Sequence, residues 1–293
     1  SHKFQGTFDG NGFTVFNLKI ESDDNDYVGF FGYINSAEIK NLMIKGQITA
    51  SGRRVGGLVG RAEDNFKIIN CGNFVDVTNQ STSSDYTAGI LAESYYVNYS
   101  AKGTIEGCFN QGTIENSNGY ASGIVASMSS GTIKNCYNSG LITGKTAVGI
   151  AGASSNTYTN CFNTGTVSGT GTAYSICSSN YADYDSCYYL NGVAANDDAQ
   201  HGIGMTEDAM KAEAFIAKLG TDTWKADTSG LTNSGYPILH WQQVTEPTEK
   251  GQKLDVPKGL KWIVTGILPE DAVTVSALQG LTANIMPLED DDF

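Results

Sequence analysis

The chain has 293 residues, 40% of them hydrophobic, with 35 Gly, 5 Pro and 6 Cys. That is ample for a core and too poor in Pro for a disordered linker. A formal charge of −13 argues against nucleic acid or an anionic membrane as partner, and the absence of a long apolar run argues against membrane insertion.

The opening stretch, Phe4-Gln-Gly-Thr-Phe-Asp-Gly-Asn-Gly-Phe-Thr-Val15, turns at Asp9-Gly-Asn-Gly12. The acidic loop Glu21-Ser-Asp-Asp-Asn-Asp26 follows. Its Asp23, Asp24 and Asp26 are calcium candidates, since clustered carboxylates are hard oxygen ligands. EF-hand spacing is missing, and a solvated loop is the competing reading.

From here the chain repeats itself. The phrase Lys134-Asn-Cys-Tyr-Asn-Ser-Gly-Leu-Ile-Thr143 returns as Glu106-Gly-Cys-Phe-Asn-Gln-Gly-Thr-Ile-Glu115 and Thr159-Asn-Cys-Phe-Asn-Thr-Gly-Thr-Val-Ser168. Its anchors are Leu18, Leu42, Cys71, Cys108, Cys136, Cys161 and Cys187, spaced 24 to 37 residues apart. A glycine-centred strand recurs between them, as in Tyr27-Val-Gly-Phe-Phe-Gly32, Val55-Gly-Gly-Leu-Val-Gly60 and Ala121-Ser-Gly-Ile-Val-Ala126. A third short strand precedes each anchor. Two or three short strands per irregular repeat predict an all-β fold, a right-handed parallel β-helix of about seven coils.

The Gly-Leu-Val-Gly strand at 57–60 and the Asn-Cys-aromatic-Asn-x-Gly phrases resemble the GLUG-type repeats of Gram-positive bacterial surface proteins, found outside the catalytic domain of some IgA-specific metallopeptidases. The closing Gly235-Tyr-Pro-Ile-Leu-His-Trp241 is similar to the usual end of such arrays. The resemblance spans residues 4–242 and implies a cell-surface, extracellular setting. It brings no catalytic motif. The lack of an initiator Met or signal peptide fits a segment of a longer precursor.

Alternation within the phrase puts Cys136, Asn138, Gly140 and Ile142 on the inner face. Stacked cysteines one strand spacing apart are poorly aimed for disulfides, and Leu fills the site in the first two coils. A reduced thiol column is therefore expected, with Cys177 aligned instead with Val59, Leu91, Val125 and Ala151. Asn73, Asn110, Asn138 and Asn163 are expected to bond to backbone and to each other.

Two features are candidate binding sites. The outward column Phe109, Tyr137, Phe162 and Tyr188 reads either as a stabilising ladder or as a platform for sugar rings or a partner. Tyr95, Tyr96 and Tyr99, on an insertion between Cys71 and Cys108, either present a binding loop or pack down on the coil.

Past Cys187 the period breaks. Residues 206–219 read as one amphipathic helix, N-capped by Thr206, with Ala209, Ala212, Phe215, Ile216 and Leu219 as its apolar stripe. Its expected role is to cap the open end of the last coil. The helix completes a unit over 1–243, followed by a linker at 244–255 and a short β-rich tail or truncated domain at 256–293.

His2, His201 and His240 fall outside the repeats and no catalytic spacing appears. The functional expectation is a monomeric module of a larger chain, without cofactor or catalysis, that binds host or bacterial surface glycans or proteins. The alternatives are a stalk and, less favoured, a polysaccharide lyase or glycoside hydrolase.

Overall fold

The computed structural model describes residues 3–23, 26–96, 102–152, 156–179 and 183–242. The linker and tail expected at 244–293 lie outside the described residues. The rest is a parallel β-solenoid. Its first face stacks Thr7–Asp9, the starts of Glu38–Ala50 and Lys67–Asn79, then Gly103–Glu106, Gly131–Lys134, Thr157–Thr159 and Asp183–Asp185, every neighbour parallel. Seven such rungs bound six complete turns, one fewer than the anchor count predicts.

After every rung but the first, the next residue makes a left-handed corner. Asn41, Asn70, Asn135, Asn160 and Ser186 have φ between 51° and 54°. Gly107 takes the same corner at φ 63°. Asparagine tolerates this conformation because its short side chain bonds locally. Asn70 donates to Asn41 at 3.4 Å and Asn160 to Asn135 at 3.3 Å, tying corners of neighbouring turns together.

The residue after the corner is the anchor, and Leu42 pairs with Cys71 as expected. Leu18 does not join them. Thr14 and Val15 face Met43 and Ile44, so Phe13 precedes the paired stretch as Leu42 does, and Leu18 faces Gly46. Asn17, at φ 55°, absorbs the register shift. Gly46 is required opposite it, because a Cβ there would collide with the Leu18 backbone.

All six cysteines are buried and unpaired. Cys71, Cys108, Cys136 and Cys161 each donate to the carbonyl two residues earlier, at 3.2–3.4 Å. Burial pushes the Cys108 and Cys161 thiols well up, as does hydrogen bonding from Cys161 together with burial at Cys187. Cys177 follows Ala151 and Val125 along another strand column, as its alignment predicts.

Two residues beyond the anchor runs the inner asparagine ladder. Asn73 donates to Asn110, Asn110 to Asn138 and Asn138 to Asn163, each at 2.7 Å. Each Nδ2 also donates to the carbonyl two residues on, at 2.9–3.0 Å. Aligned amides in a dry core polarise one another, so the ladder is stronger than its separate bonds. Asn163 ends it on Ser175 Oγ at 3.3 Å, and Ser175 donates to Asp197 at 2.6 Å. The recurring glycine strand fits this ladder. A Cβ on Gly57, Gly89, Gly123 or Gly149 would strike the amide oxygen of Asn73, Asn110, Asn138 or Asn163. The two repeated phrases are thus one packing unit.

The C-terminal segment differs from its expected form and place. Two short helices, α1 (Glu207–Lys211) and α2 (Glu213–Leu219), replace one, with the break at Ala212 (φ −72°, ψ 147°). Thr206 is the N-cap, accepting from Ala209 N. Met210 and Phe215 are five positions apart, which on one straight helix points them well apart. The break turns both into the same cluster. Met210, not Ala209 or Ala212, completes the buried stripe. The segment lies along the flank of the solenoid and does not close its end, where Ile203 remains 54% exposed.

Candidate binding face

The aromatic column has the geometry read from the sequence. Phe109 and Tyr137 stack at 5.2 Å with planes 11° apart, and Tyr137 and Phe162 at 5.2 Å and 7°. It is not a free platform. Phe109, Tyr137 and Phe162 are fully buried and Tyr188 is 7% exposed. Phe215 packs edge-on against Phe162 and Tyr188, Trp224 against Tyr137 and Phe162, and Trp241 stacks on Phe109. Polar contacts secure the cover. Gln242 donates to Tyr137 Oη at 2.8 Å, Gln111 to the Thr232 carbonyl at 2.8 Å, and Trp241 Nε1 to the Gly107 carbonyl at 2.9 Å. Burial pushes the Tyr137 hydroxyl strongly up. The outward rings are a second core, shared with residues 206–242. Extended alternation reports which way a ring points and is silent on what later covers it.

The loop tyrosines separate. Tyr96 is buried and its hydroxyl accepts from Gly103 N at 2.8 Å, so it packs down. Tyr95 is 52% exposed and lies against the Arg61 guanidinium, 5.1 Å from the ring centroid. Tyr99 lies outside the described residues. So does Asp24 of the calcium candidates. Among the described residues no three His, Cys, Asp or Glu side chains converge on one point, Asp23 and Asp26 included.

A different outer face gathers aromatic and charged side chains. The glycine-centred strands are in register, so the residues ahead of each glycine form a row up the solenoid. It runs Tyr27, Arg54, Tyr86, Tyr120, Thr146 and Thr172. All are half-buried except Thr172, which is exposed. Tyr86 and Tyr120 lie 5.2 Å apart at 34°. Past the bend in each turn, a second row runs Tyr33, Arg61, Glu93 and Ser127. Side chains of the two rows touch across the bend.

Arg54 joins the rows with a forked pair to Glu93, 2.8 Å from Nε and 2.9 Å from Nη2. Arg61 donates to Tyr27 Oη at 2.8 Å and to Glu63 at 3.2 Å. Lys3 reaches Glu63 at 2.6 Å. Burial alone would raise the Glu63 carboxyl. Hydrogen bonds from Lys3, Tyr33 and Asn35 outweigh it and hold the group below the usual range. Burial likewise opposes the Arg54 charge, and Glu93 more than restores it. A forked arginine–carboxylate pair fixes both partners, so Arg54 and Glu93 hold each other in place on this face.

None of these residues except Tyr95 stands out in the sequence, because partners lie some thirty residues apart. The signal is positional: Arg54, Tyr86 and Tyr120 each stand three residues ahead of a glycine, Gly57, Gly89 and Gly123, and Tyr27 joins them through the strand register.

Residues 51–78 match the GLUG motif family. A crystal structure from Bacteroides ovatus, described as a "putative immunoglobulin A1 protease", superposes with a TM-score of 0.59 at 18% identity, covering 80% of this chain and 77% of that one. No curated protein matches the sequence significantly. The chain thus carries a GLUG motif at residues 51–78 within a solenoid whose fold is known.

Proposed function

Proceeding from a GLUG-bearing parallel solenoid, we propose that the chain is a non-catalytic binding module on the exterior of a bacterium, part of a larger surface protein. The observation that carries this reading is the row Tyr27, Arg54, Tyr86 and Tyr120, in register on consecutive turns and braced by the Arg54–Glu93 pair. Aromatic faces beside fixed donors and acceptors give contact area at low entropic cost. Non-catalysis is supported by the state of the charges. Glu63 and Glu93 both sit in ion pairs, which leaves neither poised as acid or base. His201 sits against Asp198 at the last turn and His240 against the Thr221 carbonyl, both away from this face. The likeness to a chain described as an immunoglobulin A1 protease fits a module carried beside a separate catalytic part.

The test is a glycan-array and host-matrix binding screen of the folded protein, with Tyr86→Ala/Tyr120→Ala as the matched control. A ligand lost in the control supports the proposal. A wild type that binds nothing across both screens returns the module to the stalk reading.

A further inference from the structure

The shape and charge of this face narrow what it would take. Resting on the binding reading above, we infer that the ligand is an uncharged, linear glycan lying along the solenoid axis, one sugar ring per turn.

The first argument is translational. Tyr27, Arg54, Tyr86, Tyr120, Thr146 and Thr172 repeat once per turn in unbroken register, and the Tyr86 and Tyr120 rings are 5.2 Å apart. Neighbouring strands of a sheet lie about 4.8 Å apart. A face with that repeat is complementary to a ligand with a matching repeat. An extended chain of pyranose rings has one, advancing by about a ring length per residue.

The second argument is electrostatic. Three cations and two carboxylates share the face, and each has its counter-ion. Arg54 is held by Glu93, Arg61 by Glu63, with Glu93 at 3.7 Å, and Lys3 by Glu63. The carboxylate side chains are only 5% and 11% exposed. A uronate, sialate or sulfate could reach only guanidinium donors whose charge a carboxylate already offsets. It would then lie beside that carboxylate, in a protein of net charge −13. A neutral sugar meets neither cost.

The third argument is chemical. Guanidinium has five N–H donors, and Arg54 commits two of them to Glu93, which leaves donors for hydroxyl oxygens. The rings of Tyr86 and Tyr120 pack against each other, so their edges and hydroxyls meet the sugar, and each hydroxyl can both donate and accept. The hydroxyls of Thr146 and Thr172 extend the row with groups that both donate and accept.

The experiment is calorimetric titration of the full chain with chito-, xylo- and mannooligosaccharides from dimer to hexamer, against oligogalacturonates of the same lengths. At least one neutral series should bind, tightening about tenfold between dimer and tetramer. Its affinity should be insensitive to salt, as expected for an uncharged ligand. Tyr86→Ala and Tyr120→Ala should each weaken it while the melting temperature holds. If only oligogalacturonates or a protein from the matrix screen bind, and both variants lose that binding, the ligand class is overturned and the binding face stands. If binding of any ligand survives both variants, or nothing binds, the face itself is overturned.

Discussion

Replacing Asn138 with Ala probes the inner ladder where it is most committed. Its Oδ1 accepts from Asn110 at 2.7 Å, and its Nδ2 donates to Asn163 at 2.7 Å and to the Gly140 carbonyl at 3.0 Å. Truncation strips that donor from two fully buried acceptors. Asn110 Nδ2 keeps its bond to the Gly112 carbonyl at 2.9 Å. At about 1–3 kcal/mol per buried group stripped of its partner, the loss is about 2–6 kcal/mol. A typical domain has only about 5–15 kcal/mol in total. The control is Asn135→Ala, at the left-handed corner three residues earlier (φ 54°). There the cost is backbone strain of about 1–2 kcal/mol together with the single 3.3 Å bond from Asn160. Urea titration followed by circular dichroism gives both values, compared at equal m. A ladder variant no less stable than the corner variant would refute the cooperative amide chain.

Three further outcomes follow from the packing. Trp224→Ala should cost about 3–5 kcal/mol of the cover's attachment, read as faster proteolysis within residues 206–242 while the solenoid's circular dichroism persists; unchanged cleavage would mean the flank does not depend on the column. Thiol titration without reductant should find almost no reaction in the native chain and all six thiols in denaturant, since every cysteine is buried and unpaired; recovery of two would mean the column is disulfide-linked. Burial opposes ionisation of Cys136, but hydrogen bonds from Cys108 and Cys161 hold its thiol pKa down at about 5; the raised Cys108, Cys161 and Cys187 thiols outnumber it and set the pH dependence above neutrality. The folded state holds these protons more tightly, so their contribution is complete below the unfolded thiol pKa of about 8.5 and is lost as pH rises above it. Melting temperature should fall between pH 8 and 10, and a flat profile would contradict that sign.

The solenoid was legible because its punctuation is local. A left-handed corner of asparagine, glycine or serine and a small buried anchor recur in fixed order, and four consecutive turns add an inward asparagine. Leu18 shows the limit. It has the same flanking pattern as Leu42, yet a register shift at Asn17 places it opposite Gly46. Face was readable for Phe109, Tyr137, Phe162 and Tyr188, but cover was not, since their lid comes from residues 206–242. The Tyr27–Arg54–Tyr86–Tyr120 row was missed for a related reason. Its members are unlike one another, and only the stacked register makes Arg54 a neighbour of two tyrosines. Among the loop tyrosines, Tyr95 and Tyr96 are adjacent in sequence, and extended backbone sends one outward to Arg61 and the other down to Gly103.

We propose that recognition belongs to the Tyr86–Tyr120 face and that the stacked rings beneath the flank serve stability. Ligand binding and thermal melting measured together on Tyr86→Ala/Tyr120→Ala and on Phe162→Ala decide it. The first variant should keep its melting temperature and lose the ligand, and the second should melt earlier while its folded fraction binds as the wild type does. The reverse pattern, binding lost with Phe162 and kept without the two tyrosines, would contradict it.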